Sequence, residues 1–303
     1  MILLPPPPLQ KITLPGIDDS LQINVLREDL VHPYLGGNKY RKLKYNLRHF
    51  IDSGKKYIVT FGGAYSNHLI ATTTAGQMLS IPVIAIVRGE NASNPCLDYI
   101  RSCGATLIFT DRENYRHKDE PEMVQELLQT QLPELPVADC FIIPEGGSNT
   151  YAIKGAAEIG DDLPECEHVF LPAGTGGTAA GLSIALKNTQ RLHAVSVLKA
   201  GDSIEEKIKE LGGKTDQIIF HHEFHFGGYA KVTDELLNFC TEFRNHTSIP
   251  IEPVYSGKMF FAFFQLAKNG YFKKGASIVL VHTGGVYSFY PYFQKTSKKK
   301  VEY

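Results

Sequence analysis

The strongest constraint on the fold is a local pattern that recurs along the chain. Short apolar runs occur at 57–61, 83–87, 106–109, 141–143, 168–171 and 277–281, and all but the third lead into a glycine-containing turn. Helix-like segments separate these runs. Strands that alternate with helices favour crossover connections and mostly parallel sheets, and in such sheets ligands bind at the carboxyl ends of the strands. The pattern therefore predicts an α/β fold with its chemistry in the glycine turns.

The composition narrows the class of protein further. A chain of 303 residues with 43% hydrophobic residues can form one large or two moderate domains, and we favour two. A formal net charge of −1 gives no reason to expect nucleic acid or a membrane surface as a partner. The N-terminus lacks the pattern of a signal peptide, and the basic run Lys298–Lys300 is expected to be a solvated tail. Five cysteines without CxxC spacing indicate a reduced, cytoplasmic protein.

Lys39 is the first candidate for chemistry. It follows the turn Gly36-Gly37-Asn38 and begins a helix-like segment. Its side chain is therefore expected to have little conformational freedom and to lie close to backbone amides. A lysine in this position could form an imine with a carbonyl compound. The alternative is an ordinary exposed lysine at a helix start, which is the usual environment of this residue type.

The segment from Gly174 to Gly181 gives the strongest signal for phosphate. Its glycines allow successive backbone N–H groups to converge on one point, and the positive end of the following helix lies at the same place. The segment lacks both the dinucleotide spacing and the GxxxxGK[ST] pattern, so it favours a single phosphate. The alternative is an empty strand-to-helix turn. The candidate phosphate ligands are Gly174, Thr175, Gly176, Gly177 and Thr178.

A second candidate anion site begins at Gly62 and ends at His68. Ser66, Asn67 and His68 stand at a helix start, where amides and side chains can hold a carboxylate; the alternative is simple helix capping. A lysine able to form an imine, a cradle for one phosphate and a cradle for a carboxylate together suit a phosphorylated aldehyde cofactor acting on an amino acid. Pyridoxal 5'-phosphate fits that description.

With these residues in view, the chain resembles the pyridoxal-phosphate enzymes of the tryptophan-synthase β-subunit fold (fold type II). Within them it is similar to the family of D-cysteine desulfhydrase and 1-aminocyclopropane-1-carboxylate (ACC) deaminase. The resemblance extends over most of the chain, from about residue 26 to residue 293. It rests on five motifs: GGNK at 36–39, SNH at 66–68, GTGGT at 174–178, PVYSGK at 253–258 and HTGG at 282–285.

The resemblance implies a role for individual residues. Lys39 would hold the cofactor covalently and later move protons, and Asn67 would bind the ring hydroxyl. Gly174 to Thr178 would hold the phosphate, and Thr283 would face the pyridine nitrogen. The substrate would be bound by Ser66, Asn67, His68, Tyr229 and Tyr255, of which Ser66 and the two tyrosines would also be catalytic together with Lys39.

The resemblance also implies an architecture. Two three-layer α/β/α domains would enclose the cofactor in the cleft between them. The small, mobile domain would comprise residues 48–152, and the large domain would comprise residues 1–47 and 153–303. Closure of the small domain would expel water and bring Ser66 up to the substrate. Family members resembling this chain usually form dimers, so we expect a homodimer.

Three positions bear on the substrate. The ACC deaminases carry glutamate where this chain has Ser256, and they tend to carry leucine where it has Thr283. Together with His68, these positions favour elimination from D-cysteine, giving pyruvate, ammonia and sulfide, over deamination of ACC. A separate departure is Tyr40, where the family commonly has threonine, and a bulky ring there would narrow the pocket.

Other interpretations remain open. His221-His222-Glu223-Phe224-His225 has the composition of a metal cluster, but its flanks predict strand and loop, so we expect structural or rim histidines and no metal. Tyr229 and Tyr255 are also compatible with ordinary core tyrosines, and His282 with a satisfied core histidine. A non-catalytic cofactor-binding sensor and a nucleotide-linked oxidoreductase are the other functions considered.

Overall fold

The computed structural model of the chain describes residues 2–91, 93–199, 201 and 203–287. The tail predicted at Lys298–Lys300 lies outside these residues. Among the helices within them, none combines the length and the apolar character needed to cross a bilayer. The described residues are organised around two β-sheets.

The larger sheet has six strands in the order β1-β2-β10-β7-β8-β9. Strand β1 pairs with β2 in antiparallel fashion, and all the other neighbours are parallel. The first two strands and the last come from opposite ends of the described chain, so the two ends are joined in one sheet. The strands are β1 (Leu9–Ile12), β2 (Gln22–Leu26), β7 (His168–Ala173), β8 (Arg191–Ser196), β9 (Ile218–His221) and β10 (Ser277–Val281).

The smaller sheet has four parallel strands in the order β5-β4-β3-β6. These strands are β3 (Tyr57–Gly63), β4 (Val83–Arg88), β5 (Thr106–Thr110) and β6 (Cys140–Ile143). All four fall within the range 48–152 predicted for the small domain. The domain boundaries themselves remain a prediction.

Nine helices cover the two sheets within the described ranges. The predicted α/β class with mostly parallel sheets is therefore confirmed. The helices are α1 (Asn38–Asp52), α2 (Asn67–Leu79), α3 (Pro95–Ser102), α4 (Pro121–Gln131), α5 (Thr150–Ala157), α6 (Gly177–Ala185), α7 (Ser203–Glu210), α8 (Asp234–Thr247) and α9 (Ser256–Lys268).

Strand β8 was not singled out from the sequence, because His193 interrupts its apolar run. In the sheet this side chain is fully buried between two other histidines. Its Nε2 lies 3.0 Å from His168 Nδ1, and its Nδ1 lies 2.9 Å from His221 Nε2. His221 therefore pairs across strands. It ends β9, and a 3₁₀ turn, Glu223–His225, follows, so no helix aligns His221 with His225.

Helices α1, α5 and α6 pack unusually closely, and glycines make this possible. A Cβ atom on Gly155 would lie 1.8 Å from the Arg41 carbonyl oxygen, and one on Gly181 would lie 2.5 Å from Ala156 Cβ. The Arg41 guanidinium also bonds Glu28, 2.8 Å away, and Asp162. Because α1 begins with the candidate lysine turn, these contacts fix the position of that turn relative to α6.

We predict that Gly155→Ala destabilises the protein by about 1–3 kcal/mol, because the new methyl group would meet the backbone of α1 and force the helices apart. Chemical denaturation of the variant should show this as a lower midpoint. Gln129→Ala, at an exposed position on α4, is the control and should change the free energy of unfolding by about 0.5 kcal/mol or less. An unchanged midpoint for Gly155→Ala would contradict the packing described.

Candidate active site

A cavity of about 290 Å³ lies where the two sheets face each other, and residues from both line it. The small sheet contributes Arg88 at the end of β4 and residues that follow β3 and β6, and the large sheet contributes residues that follow β7, β8 and β10. The structure brings together all the residues assigned from the sequence, since each of them lines this cavity: Lys39, Ser66, Asn67, His68, Gly174, Thr175, Gly176, Gly177, Thr178, Tyr229, Tyr255 and Thr283.

The turn that carries Lys39 is built on a backbone contact. Gly37 has φ of +72°, and a Cβ atom on it would lie 2.1 Å from the Thr283 carbonyl oxygen, so only glycine fits there. The same oxygen accepts a hydrogen bond from the Asn38 amide at 3.3 Å. The Asn38 side-chain amide donates to Thr178 Oγ1 at 2.8 Å. One turn thus joins the loop after β10 to the start of α6 and aims Lys39 into the cavity.

The Lys39 amine is removed from bulk water, and this desolvation lowers its pKa to about 8. An unprotonated amine is the nucleophilic form, and a lower pKa makes this form accessible near neutral pH. The environment of Lys39 therefore suits bond formation with an aldehyde.

The loop between β7 and α6 provides room for a phosphate. A Cβ atom on Gly177 would lie 2.7 Å from Ser148 Oγ and 3.0 Å from Lys42 Nζ, so a side chain at this position would fill the loop. Lys42 is 1% exposed, and its Nζ donates to Ser148 Oγ at 2.6 Å. Ser148 Oγ lies 2.8 Å from Thr175 Oγ1. A buried lysine therefore stands behind the loop, at the positive end of α6.

Burial lowers the pKa of Lys42 well below its usual value, and the charge of Lys39 lowers it further. Two adjacent cationic groups in a desolvated region are costly unless an anion compensates them. The arrangement therefore indicates that an anion belongs in this loop.

The start of α2 forms the opposite wall of the cavity. Ser66 is its N-cap, and Ser66 Oγ accepts a hydrogen bond from the Leu69 amide at 3.3 Å. Ser66 therefore caps α2 and also lines the cavity. Asn67 packs on the loop after β10, since a Cβ atom on Gly285 would lie 2.4 Å from its Nδ2. The first-turn amides of α2 point towards the cavity side, where they suit a carboxylate.

His68 lines the cavity and is buried. Its Nε2 lies 2.7 Å from Thr60 Oγ1, and Thr60 in turn donates to the Ile143 carbonyl at 2.9 Å. The hydroxyl proton is thereby engaged, so we assign the Nε2–H tautomer, in which Nδ1 is an acceptor. Burial lowers the pKa of His68 well below its usual value, with Lys39 and Lys42 adding to the effect. Within the described residues Nδ1 has no hydrogen-bond partner.

The two tyrosines stand together on the large-sheet side. Their rings meet edge to face with centroids 5.9 Å apart, and their hydroxyl groups interact. Tyr229 is 43% exposed, so it stands at the open side of the cavity. Burial raises the pKa of both phenols, most strongly that of Tyr255. Both therefore remain protonated near neutral pH and can act as hydrogen-bond donors.

A buried glutamate sets the position of Tyr255. The Glu252 carboxylate accepts hydrogen bonds from the amides of Val254, Tyr255 and Ser256 at the start of α9, at 2.5–3.1 Å. Ser256 Oγ donates to the same carboxylate at 3.1 Å. Ser256 is thus engaged with Glu252 and does not line the cavity, whereas Thr283 does.

The structure corrects one expectation. Tyr40 does not narrow the cavity: its hydroxyl donates to the Ile2 carbonyl at 3.2 Å and its ring packs among core residues of α1, α2 and the small sheet. The reason is that α1 directs Tyr40 and Lys39 to different sides.

His282 is a satisfied core histidine, as expected, with Nε2 2.7 Å from the Pro250 carbonyl oxygen. Within the described ranges, no group of three or more His, Cys, Asp or Glu residues could hold a metal ion.

Three residues at the site were missed by the sequence analysis. Asn38 bridges two loops, Lys42 stands behind the phosphate loop, and Arg88 lines the cavity at the end of β4. Signals for two of them were present. Lys42 follows Lys39 by three residues, which places it on the same helix face, and Arg88 ends a parallel strand at its carboxyl end.

Comparison with known proteins identifies the family. The model of the "Pyridoxal-phosphate dependent enzyme" family matches residues 4–284. This chain therefore belongs to the pyridoxal-phosphate-dependent enzymes, and the cofactor inferred from its loops is the one that this family uses.

Individual relatives agree with this assignment. A protein of Pyrococcus horikoshii, provisionally named a 1-aminocyclopropane-1-carboxylate deaminase, is 29% identical, with 93% of this chain and 90% of that protein covered. The mitochondrial bifunctional D-cysteine desulfhydrase/1-aminocyclopropane-1-carboxylate deaminase of Arabidopsis thaliana is 28% identical, with coverage of 94% and 77%. A crystal structure described as an ACC deaminase homologue superposes with a TM-score of 0.80 at 25% identity, covering 97% of this chain and 93% of the other.

The residues present fit pyridoxal phosphate. The loop at Gly177 has no space for a side chain but presents amides and a buried lysine to a phosphate. Lys39 has a lowered pKa that suits reaction with an aldehyde.

We predict that Lys42→Met weakens binding of pyridoxal phosphate to the apoprotein. Loss of a charged hydrogen-bond donor costs about 1.5–3 kcal/mol, or roughly ten- to a hundredfold in Kd. Titration of the apoprotein with the cofactor, followed by visible absorption, measures the change. Lys44→Met is the matched control, because Lys44 lies on the same helix but bonds Glu158, and its Kd should not change. Equal affinities for Lys42→Met and the wild type would contradict a role in phosphate binding.

A second prediction concerns the pH dependence of stability. Burial raises the pKa of Glu252 to about 7 from 4.5, so the folded chain binds one more proton than the unfolded chain between these values. The stability contributed by this group is full below pH 4.5 and is lost as pH rises through 7. The advantage of the wild type over Glu252→Gln should therefore shrink by on the order of 3 kcal/mol across this range. Urea unfolding at several pH values measures it, and a constant difference would contradict it.

Proposed function

We propose that this protein catalyses pyridoxal-phosphate-dependent α,β-elimination with deamination of a small amino acid, with D-cysteine as the substrate. The overall reaction would convert D-cysteine and water into pyruvate, ammonia and hydrogen sulfide. A cavity of about 290 Å³ is at the small end of ligand pockets, so little space is left for a substrate beside the cofactor.

The observation that carries the choice of substrate is the residue at the ring-nitrogen wall. The ring-nitrogen wall is the side of the cavity that would face the pyridine nitrogen of the cofactor. By the family pattern it is formed by Thr283 and the start of α9, and ACC deaminases carry a glutamate at the position of Ser256. Here the uncharged residue Thr283 lines the cavity, and Ser256 bonds Glu252 instead. Among the residues that the structure describes, Glu145 is the one carboxylate that lines the cavity, and it follows β6 on the other side. A neutral partner makes the cofactor a weaker electron sink, which suits a substrate whose leaving group departs at once.

Pyridoxal phosphate, when bound, would supply the conjugated system that stabilises negative charge on the substrate α-carbon. The protein's own groups would bind the substrate and transfer the protons. The amides at the start of α2, with Ser66 and Asn67, would bind the substrate carboxylate. The Lys39 amine, with its pKa near 8, would remove the α-proton. Tyr255, which burial keeps protonated, would donate a proton to the departing sulfur with Tyr229 as its partner.

Deamination of ACC to 2-oxobutyrate and ammonia is the second candidate. It is favoured by the names of the Pyrococcus horikoshii and Arabidopsis thaliana relatives, the second of which names both activities.

We also propose a homodimer. The five cysteines are free thiols, which supports a reducing compartment such as the cytoplasm.

The test is a product assay on the purified protein loaded with pyridoxal phosphate. D-cysteine, L-cysteine and ACC are offered in turn, and pyruvate, sulfide and 2-oxobutyrate are measured. We expect pyruvate and sulfide from D-cysteine, and loss of the visible absorption band and of turnover in Lys39→Ala. Turnover of ACC alone would replace the proposal by the second candidate. Cofactor binding without turnover of any amino acid would favour a cofactor-binding sensor.

A variant tests the role of Tyr255. Tyr255→Phe should lower kcat about a hundredfold or more, because it removes a proton donor from the site. Tyr271→Phe, which changes an exposed tyrosine in the same way, is the control and should leave kcat unchanged. If Tyr255→Phe retains full turnover, proton transfer to the leaving group does not depend on this residue.

A further inference from the structure

Lys258 is a fully buried lysine whose amine binds backbone carbonyls from separate segments of the chain. It lies in the first turn of α9, two residues after the start of the helix. Its Nζ donates to the carbonyls of His225 and Gly228 at 2.8 Å each and to that of Val197 at 3.3 Å. An ammonium group has three N–H donors, so three carbonyls use all of them. The amine therefore links α9 to the end of β8 and to the turn that precedes Tyr229.

That turn has a strained backbone conformation. Phe226 and Ala230 have φ of +53° and +55°, a region that non-glycine residues rarely adopt, and Gly227 and Gly228 between them have φ of +93° and +118°. Each non-glycine residue in this region costs about 1–3 kcal/mol and persists only where the surroundings impose it. The amides of Gly227 and Gly228 donate to His225 within the turn, and Lys258 adds contacts from outside by binding the His225 and Gly228 carbonyls directly.

The turn determines where the Tyr229 ring lies. Gly228 immediately precedes Tyr229, whose ring lines the cavity and meets Tyr255 edge to face. Tyr255 lies three residues before Lys258, at the start of the same helix. Helix α9 therefore carries Tyr255 at its start and contacts the turn before Tyr229 through the Lys258 amine.

We propose that Lys258 is a positioning residue that fixes Tyr229 against Tyr255 by holding the 225–228 turn through its three carbonyl contacts. Lys258 is not among the residues that line the cavity, and its influence on the reaction passes through Tyr229. This inference rests on the proposed function of Tyr229 as the partner of Tyr255.

The chemistry explains why a lysine is present in this buried place. An apolar side chain of similar length would remove the Lys258 donor from the Val197 carbonyl and would leave the His225 and Gly228 carbonyls with only the backbone amides of Gly228 and Lys231 as donors. A buried carbonyl left without a donor costs about 1–3 kcal/mol. The amine itself is costly to bury, and desolvation lowers its pKa to about 8, which leaves it largely protonated at pH 7. A cost of this kind is consistent with a residue kept for the geometry that it imposes.

A double-mutant cycle tests the inference. Lys258→Met, Tyr229→Phe and the double variant are compared with the wild type for kcat and KM on D-cysteine. We expect Lys258→Met to lower kcat roughly ten- to a hundredfold, the size of a lost charged hydrogen bond. In the Tyr229→Phe background the same change should have almost no further effect, because the residue it positions has already lost its hydroxyl. Additive losses would overturn the proposal.

Hydrogen–deuterium exchange of the cofactor-loaded proteins gives a readout that does not depend on turnover. The amides of Gly228 and Lys231 donate within this turn, to the carbonyls of His225 and Gly228. In Lys258→Met their exchange should accelerate at least tenfold, while amides in β7 and α6 keep their wild-type rates. Unchanged exchange in the turn would overturn the proposal.

Two further variants keep the test decisive. Lys268→Met makes the same substitution at an exposed position of α9 and should change neither kcat nor exchange in the turn. If Lys258→Met does not fold, Lys258→Gln, which retains two of the three donors, is measured in the same cycle and should show a smaller effect of the same kind. If the wild type converts no amino acid, the proposed function fails, and the exchange experiment still decides whether Lys258 holds the turn.

Discussion

The close contact between Gly37 and the Thr283 carbonyl is the constraint on which the site depends. A Cβ atom on Gly37 would lie 2.1 Å from that oxygen, so the contact exists only because this residue has no side chain. Through it the lysine turn reaches the end of β10, and Asn38 extends the connection to Thr178 at the start of α6. Lys39, the ring-nitrogen wall and the phosphate loop are therefore parts of one rigid arrangement rather than three independent loops.

Buried ionisable side chains surround this arrangement, and each of them lies against backbone groups whose positions it helps to fix. Glu252 gathers the amides that begin α9, Lys258 gathers the carbonyls of the Tyr229 turn, and Lys42 stands behind the phosphate loop. Groups of this kind contribute little to stability once desolvation is counted, and a well-packed apolar core would serve that purpose better. Their common effect is to fix the direction of hydrogen-bond donors and acceptors around the cavity, which catalysis requires.

Much of this protein could be predicted from the sequence. The six apolar runs all form strands, since short apolar segments bounded by glycine have few other ways to be buried. The candidate residues all line one cavity, because the carboxyl ends of parallel strands meet at one edge of each sheet. Strand β8 was missed because His193 is polar, and its burial depends on hydrogen bonds to histidines 25 and 28 residues away in the chain.

The sequence by itself determined the fold class, the glycine loops and the lysine that suits an aldehyde cofactor, because these depend on local periodicity and on residue types. Only the tertiary structure decided which polar residues cooperate. Tyr40 follows Lys39 directly yet packs on the N-terminal segment, whereas Lys42 reaches Gly177 and Lys258 reaches His225. Such contacts join residues that are distant in the chain, and their formation depends on how whole helices and sheets pack, which no local pattern records.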